Sequence, residues 1–480
     1  MKKFHRALSA LTALLMLASL SSCGGGTNDS EIHTDPADTG DTAAESTDSP
    51  AIPELEVRNL GGKEINILIR SEWSYEFMID EETGDTVSDA IYQRNSAIED
   101  NYNCTLKFID FKGDWSNHDS FTNIIHNSVL AGDGAHDFIA GYQAVLTMNI
   151  LNGDLMNLYD VPNLQLDAPW WTQEGIESLT YNGRCFEVGG DIAVSLLEGI
   201  NCMFFNKAMA EDYSIPDLYE LVKNGQWTHD KQAEIIKDIY QDLNGNDSKD
   251  NDDRFGFVTV NTFIRPYVVA YDTPTISTEG EVIWNNEHTV AVLEKLVDFF
   301  AEPDAIYTSD KTSAEKIFSD GRALLMNTTL GASSRLRAMN DDFGIIPYPM
   351  FDESQESYYT TTSNEVSMIC VPLTAPDPEL SGLIIEAMCR KSTDTVAKAF
   401  YETALKGKYA RDEESLNMIE LIRSSLTFDF GWVSSMATGV SGAQYQTMVE
   451  GGNKAFASWY ASNESTISEK VATFLACFEN

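Results

Sequence analysis

Between residues 63 and 142 the chain alternates strand signals with helix signals, and this alternation constrains the fold more than any other feature. KEINILIR (63–70) puts Ile65, Ile67 and Ile69 on one face and runs into the polar, aromatic stretch 71–77, which contains Glu72, Trp73 and Tyr75. Residues 89–102 have helical spacing through Ile91, Ile98 and Tyr102, CTLKFIDF reads as a second strand, 121–130 as a second helix, and HDFIAGY as a third strand ending in Tyr142. Successive strands joined by helices pair in parallel, so the expected product is a helix-covered α/β sheet. Ligand chemistry in such a sheet gathers at the carboxyl ends of the strands, which makes Glu72, Trp73, Tyr75 and Tyr142 candidates.

The pattern is interrupted twice. CFEVGGDIAVSLLEGINCMFFNK brackets Gly189 and Gly190 with strand-like segments before a new alternation begins, and 357–363 is a Tyr, Thr and Ser connector leading into EVSMICVPL. The expected organisation is a first lobe over 56–190, a second over 191–357, a return to the first over 358–405, and a helical section over 406–480 belonging mostly to the second lobe. Leu416, Ile419 and Ile422, then Ile467, Val471 and Phe474, supply core spacing in that last section. With 480 residues, the chain can build two hydrophobic cores. Asp191 and Asn364 flank the connectors and read as ligand contacts or as loop caps.

Lys2, Lys3 and Arg6 precede a short apolar run that ends in Leu20, Ser21, Ser22 and Cys23. The layout is that of a secretory signal, and the run is too short to cross a bilayer core of roughly 30 Å comfortably. Its end resembles a bacterial lipobox, which implies cleavage after residue 22, acylation (palmitate) at Cys23 and anchorage to the outer face of the plasma membrane. Residues 23–55 are rich in Thr, Asp, Ser and Pro and poor in large apolar side chains, so they are expected to act as a disordered acidic tether.

A formal net charge of -43 argues against nucleic acid as a partner, because phosphate binding relies on clustered Lys and Arg. Apart from Cys23, the cysteines sit singly in apolar segments without CxxC spacing, and buried free thiols are favoured over disulfides.

Several phrases, in this order, resemble the family 1 extracellular solute-binding proteins of bacterial ABC importers, the group that includes maltose-binding protein. They are LAGDGAHDFIAGY, LYDVPNLQLDAPWW, FFNKAMAEDYSIPD, GQWTHDKQAEIIKDIYQDLNGN, FSDGRALLMNTT, DDFGIIPYPMFDESQESYYTTTS and GKYARDEESLNMIELI. The resemblance implies a two-lobed periplasmic-binding-protein-like (type II) α/β fold with the ligand in the cleft between lobes. It further implies a monomeric receptor that captures a carbohydrate, in all expectation an oligosaccharide, by hinge closure at 189–191 and 358–362 and delivers it to ABC permease subunits. In FGFVTVNTFIRPY the family's acidic and aromatic contacts correspond to Asn261 and Phe263, and the absence of an acid there leaves the hydroxyl partner open. LLMNTTLG carries Thr328 and Thr329 where relatives often place a stacking Trp, so Thr329 is a polar candidate, and Trp432 in FDFGWVSS falls where many relatives place a cleft aromatic. Trp170 and Trp171 in DAPWW are expected to be structural.

DLNGNDSKDNDD spaces Asp242, Asn244, Asn246, Ser248, Asp250 and Asp253 as the oxygen ligands of a calcium loop, although Asp247 replaces the sixth-place Gly and Asp253 the final Glu. An acidic solvated turn is the other reading, and no cofactor is required. A peptide or polyamine binder and a lipid-anchored glycoside hydrolase are the rival functions. TGVSGA misses GxSxG by one residue and the chain has no HExxH, P-loop or CxxC, so no catalytic residue is assigned and a non-enzymatic role is expected.

Overall fold

The computed structural model describes residues 53–401 and 412–479. Cys23, the signal and nearly all of the tether lie outside the described residues. Residues from Pro53 onward form one unit.

Four strands make the first sheet: β1 (Lys63–Arg70), β2 (Cys104–Phe111), β3 (Phe138–Tyr142) and, from much later in the chain, β9 (Ser367–Cys370). Their spatial order is β2-β1-β3-β9. The first three are parallel, as the alternation requires, and β9 runs antiparallel to β3, so the sheet is mixed. Helix Thr86–Tyr102 starts at an Asp85 cap and ends at Asn103 in the left-handed region (φ 47°), where a short polar side chain is tolerated. Helix His118–Ala131 begins earlier than its apolar spacing suggests, because Asp119 and polar neighbours make its first turn.

The second sheet has five strands: β4 (Asn201–Asn206), β5 (Phe255–Val260), β6 (Ala305–Thr308), β7 (Ala323–Thr329) and β8 (Phe343–Ile346), in the order β6-β5-β7-β4-β8. Here β4 is the antiparallel strand between β7 and β8. The two sheets thus share a plan: a parallel set, plus one reversed strand donated by the segment that has just crossed from the other lobe. Val188, bridged antiparallel to Ile369, marks the fifth position in the first sheet. This is the two-lobed binding-protein fold expected for the chain.

The crossing is narrower than expected. Ile200 and Thr362 form an antiparallel bridge, with Asn201 N to Thr361 O at 3.0 Å and Ser363 N to Gly199 O at 2.7 Å, so the two outgoing segments pair with each other where they change lobes. A Cβ on Gly199 would stand 2.7 Å from Ser195 O and from Val366, which explains the glycine. The expected connector at 189–191 is instead packed into the first lobe, since Asp191 N donates to Trp170 O at 3.0 Å and Gly190 lies against Trp171. Tyr358 is buried in the second lobe with its hydroxyl donating to Val222 O at 3.1 Å. A local Gly-Gly or Tyr-rich signal marks a change of direction, whereas the junction itself is set by pairing over long range.

The C-terminal section packs mostly on the second lobe, beginning with helix Glu413–Ser424 against β8, but part of it reaches the first. Ser435–Thr438 packs on helix Gln143–Asn152 of the first lobe and Gly442–Glu450 on helix Glu287–Ala301 of the second, while Phe456–Leu475 touches both. Trp170 and Trp171 precede helix Gln173–Leu179 and are buried, their indole N–H groups donating to Glu386 at 2.7 and 3.1 Å. Among the described residues no cysteine is paired, and all six thiols except half-buried Cys477 are buried. No described helix is long and apolar enough to cross a membrane.

Candidate functional site

The carboxyl ends of β3 and β5, the paired crossing segments and the C-terminal section enclose a cavity of about 340 Å³. Tyr142, Gln143 and Trp115 come from the first lobe; Thr262, Phe263, Arg265 and Lys311 from the second. The crossing supplies Asn201 and 361–365, and the C-terminal section supplies Trp432 with Ser435 and Ser441.

Its walls carry aromatic faces. Tyr142 is the last residue of β3, held by the Arg70 guanidinium 5.1 Å from its ring centroid, and Trp115, 56% exposed, lies 6.5 Å from Tyr142. Phe263 is buried in the turn after β5, with the Lys311 ammonium 5.4 Å from its centroid. Trp432 is half-buried: Asp429 caps its short helix by accepting from Trp432 N at 2.8 Å, and the indole lies against Gly442, where a Cβ would come within 2.7 Å. Asp429 also accepts from Thr275 N and from the Thr275 hydroxyl, which only partly offset the rise in its pKa caused by burial.

The floor is polar and incompletely satisfied. Gln143 Nε2, Asn201 Oδ1 and Thr362 Oγ1 belong to residues that line the cavity, and these buried atoms have no hydrogen-bond partner among the described residues. Asn201 Nδ2 donates to Thr361 O at 2.8 Å, so its free atom is the acceptor. A ligand that reached these atoms would meet one donor, one acceptor and one hydroxyl, and buried polar groups left unpaired cost about 1–3 kcal/mol each.

The charged groups are arranged around this floor. Arg70 Nη2 donates to Glu365 O at 2.6 Å and to Ser367 Oγ at 3.0 Å, and Ser367 in turn donates to buried Glu76 at 2.6 Å. The Glu365 side chain faces Lys311, with Nζ 3.7 Å from Oε2. Arg265 Nε donates to Gln446 at 2.7 Å; burial pulls its guanidinium pKa down, with Tyr142, Glu450 and Glu365 opposing in part.

Of the sequence candidates, Tyr142, Phe263, Asn364 and Trp432 line the cavity. The others serve neighbouring structure. Glu72 accepts from Gly113 N at 3.0 Å, Trp73 lies 5.7 Å from Tyr75 and beside Arg70, and the Tyr75 hydroxyl donates to Glu198 at 2.8 Å. Asp191 accepts from the Thr393 hydroxyl at 2.8 Å, Asn261 Nδ2 donates to Glu450 at 2.6 Å, and Thr329 pairs with Asn201 across the β4–β7 ladder. Sequence reasoning missed Trp115, Gln143, Asn201, Arg265 and Lys311. Gln143 follows a residue already singled out, and Asn201 opens the strand after a crossing; both positions were available as signals.

In the acidic loop, Asp242 accepts from Gly245 N and Asp247 N at 2.6 and 2.9 Å, and Asp253 from Asp250 N at 3.0 Å. Asn246 Nδ2 donates to Asp250 at 2.7 Å, Asn244 Oδ1 accepts from Asn246 N, and Asn246 Oδ1 from Ser248 N. Among the described residues no three His, Cys, Asp or Glu side chains converge on a point that could hold a metal. The oxygens present are engaged in a hydrogen-bonded turn.

No protein-family model and no curated protein matches the chain in sequence. Solved structures do match it in fold. The GacH receptor of Streptomyces glaucescens, solved unliganded and with acarbose, has a TM-score of 0.53 at 11% identity, covering 87% of this chain and 97% of the receptor. The ABC substrate-binding protein Lmo0181 of Listeria monocytogenes, in complex with cycloalternan, gives 0.54 at 11% identity, covering 86% and 99%. The maltose/maltodextrin-binding domain MalE of Bdellovibrio bacteriovorus, bound to maltotriose, gives 0.51 at 13%, covering 87% and 98%. The chain has the fold of maltose-binding-protein-like solute-binding proteins over nearly its whole described length.

Proposed function

We propose that the protein is an extracellular solute-binding receptor that captures a carbohydrate between its lobes and presents it to an ABC permease. The observation that carries this reading is the composition of the cavity. Tyr142, Phe263, Trp115 and Trp432 offer rings to the C–H faces of sugar residues, while Gln143, Asn201 and Thr362 hold unpaired polar atoms suited to hydroxyls. Contacts from both lobes and from the crossing favour the closed form over the open one, which is how ligand occupancy becomes a shape that a permease reads. Three fold relatives solved with carbohydrate ligands support the substrate class.

A polyamine would want carboxylates boxed by aromatics, yet Arg265 and Lys311 stand in the wall and Asp429 is committed to capping. A glycoside hydrolase would need two carboxyl groups facing a scissile bond. The carboxylates lining the cavity, Glu365 and Asp429, are tied to Lys311 and to backbone amides, which favours binding without catalysis.

Lipid at Cys23 and the acidic segment after it would keep a monomeric receptor beside its permease on the outer face of the membrane, at an effective concentration far above that of a freely diffusing protein. Calcium held by Asp242, Asn244, Asn246, Ser248, Asp250 and Asp253 remains a proposal resting on their spacing, with an acidic solvated turn as the other reading. A chelator should lower the melting temperature if the ion is bound and leave it unchanged otherwise. The experiment for the main reading is thermal stabilisation of the purified full chain by oligosaccharides, peptides and polyamines. Stabilisation by a glycan supports it, and stabilisation by only a peptide or polyamine overturns it.

A further inference from the structure

Arg265 differs from the other charged groups around the cavity. Its Nε is fixed by Gln446 at 2.7 Å, which sets the plane of the guanidinium, and the guanidinium forms no ion pair and no second hydrogen bond among the described residues. The nearby carboxylates are already engaged. Glu450 Oε1 accepts from Asn261 at 2.6 Å and from Gln446 at 3.0 Å, Glu365 faces Lys311, and Asp429 is held by Thr275 and Trp432 N. A half-buried guanidinium has lost part of its hydration, and among the described residues only Gln446 replaces any of it. Its two terminal nitrogens form a planar fork that matches the geometry of a carboxylate or sulfate. The chain as a whole carries a net charge of -43, so its overall field repels anions, and anion binding therefore depends on a local cation of this kind.

Resting on the carbohydrate reading above, we infer that the ligand is an acidic glycan whose anionic substituent, a carboxylate or a sulfate, docks on the Arg265 fork with Lys311 beside it. The hydroxyls of the same ligand meet Gln143, Asn201 and Thr362, and its rings lie on Tyr142 and Trp432. The acidic group makes Arg265 the residue that sets specificity, because a neutral sugar would leave the two terminal nitrogens of the guanidinium without an anionic partner.

The test is to incubate the full chain with a mixed library of neutral, uronate-containing and sulfated oligosaccharides and to identify the retained glycans by mass spectrometry. Retained glycans carrying a carboxylate or sulfate are expected, and which of the two they carry identifies the substituent. Retention of neutral glycans alone overturns this inference while leaving the carbohydrate reading standing; retention of none overturns both. The dissociation constant of the retained glycan is then compared with that of its carboxyl-reduced or desulfated counterpart. Wild type should prefer the acidic form at least tenfold, Arg265→Gln should bring that ratio close to one, and Arg265→Lys, which keeps charge but not the fork, should fall between. An unchanged ratio in Arg265→Gln overturns the assignment. If that variant does not fold, as judged by melting, the wild-type ratio decides alone.

Discussion

Lys311 and Glu365 meet across the cleft, Nζ to Oε2 3.7 Å, one on the second lobe after β6 and the other where the chain re-enters β9 of the first. The Glu365 main chain is itself anchored by Arg70 at 2.6 Å. The pair is an electrostatic contact between lobes mounted on the crossing. Both side chains are substantially exposed, at 44% and 45%, and exposed pairs contribute about 0.2–1 kcal/mol. Glu365→Gln should therefore change glycan affinity by less than about fivefold. A loss of about a hundredfold in a calorimetric titration would mean that Glu365 touches the ligand directly instead of helping to latch the lobes.

The indole of Trp432 depends on a glycine. Because a Cβ on Gly442 would come within 2.7 Å of the ring, Gly442→Ala should displace the indole and weaken glycan binding, and Trp432→Ala should weaken it by about tenfold or more. Trp73→Ala, which removes an aromatic outside the cavity lining, should cost less. Equal losses for Trp73 and Trp432 in the same titration would show that the cavity extends past Arg70.

The parts of the fold that were legible from sequence are those written locally. β1, β2 and β3 and their helices follow from periodicity, and the apolar residues Ile419, Ile422, Ile467, Val471 and Phe474 are buried as their spacing requires, whereas Leu416 is only half-buried. The cavity was legible only where a residue ends a strand or fills a family phrase, as with Tyr142, Phe263 and Trp432. Asn201 and Thr362 become neighbours through pairing of crossing segments that are far apart in sequence, and no local pattern encodes that. Arg265 and Lys311 were overlooked for a related reason: charged residues are common on any surface, and only the enclosing walls make these two distinctive. Asp191 and Asn261 look like contacts by position, yet each found a partner inside the protein.

Two buried carboxyl groups make stability depend on pH. Burial pushes Glu187, 2% exposed, up to about 8, and pushes Glu386 up to about 7 despite hydrogen bonds from Gln165 N, Trp171 and Trp170. A raised folded pKa means that the folded state holds the proton longer than the unfolded chain, whose carboxyls titrate near 4. Their contribution is thus fully present below about pH 4 and declines as pH rises toward 8, by on the order of 1 kcal/mol per pH unit for each group within its window. Glu187→Gln should melt increasingly higher relative to wild type as pH is raised from 5 to 8. A difference that stays constant with pH would contradict the assignment.

If Cys23 carries the proposed lipid, replacing it by Ser should release the protein from the cell surface into the medium and leave glycan affinity unchanged, because such an anchor would serve delivery and not the cavity. Fractionation of cells and medium, followed by titration of the released protein, checks both halves. Retention on the membrane would contradict the anchor.

The central claim is that ligand hydroxyls complete the unsatisfied floor of the cavity. Thr362→Val and Gln143→Met keep side-chain shape while removing the free hydroxyl and the free amide. Calorimetric titration of the double variant with the glycan that stabilises wild type is the most direct test. A loss of at least about tenfold in affinity, with the melting temperature of the unliganded protein kept or raised, is the predicted result. Wild-type affinity in the double variant would place the carbohydrate elsewhere and contradict the account.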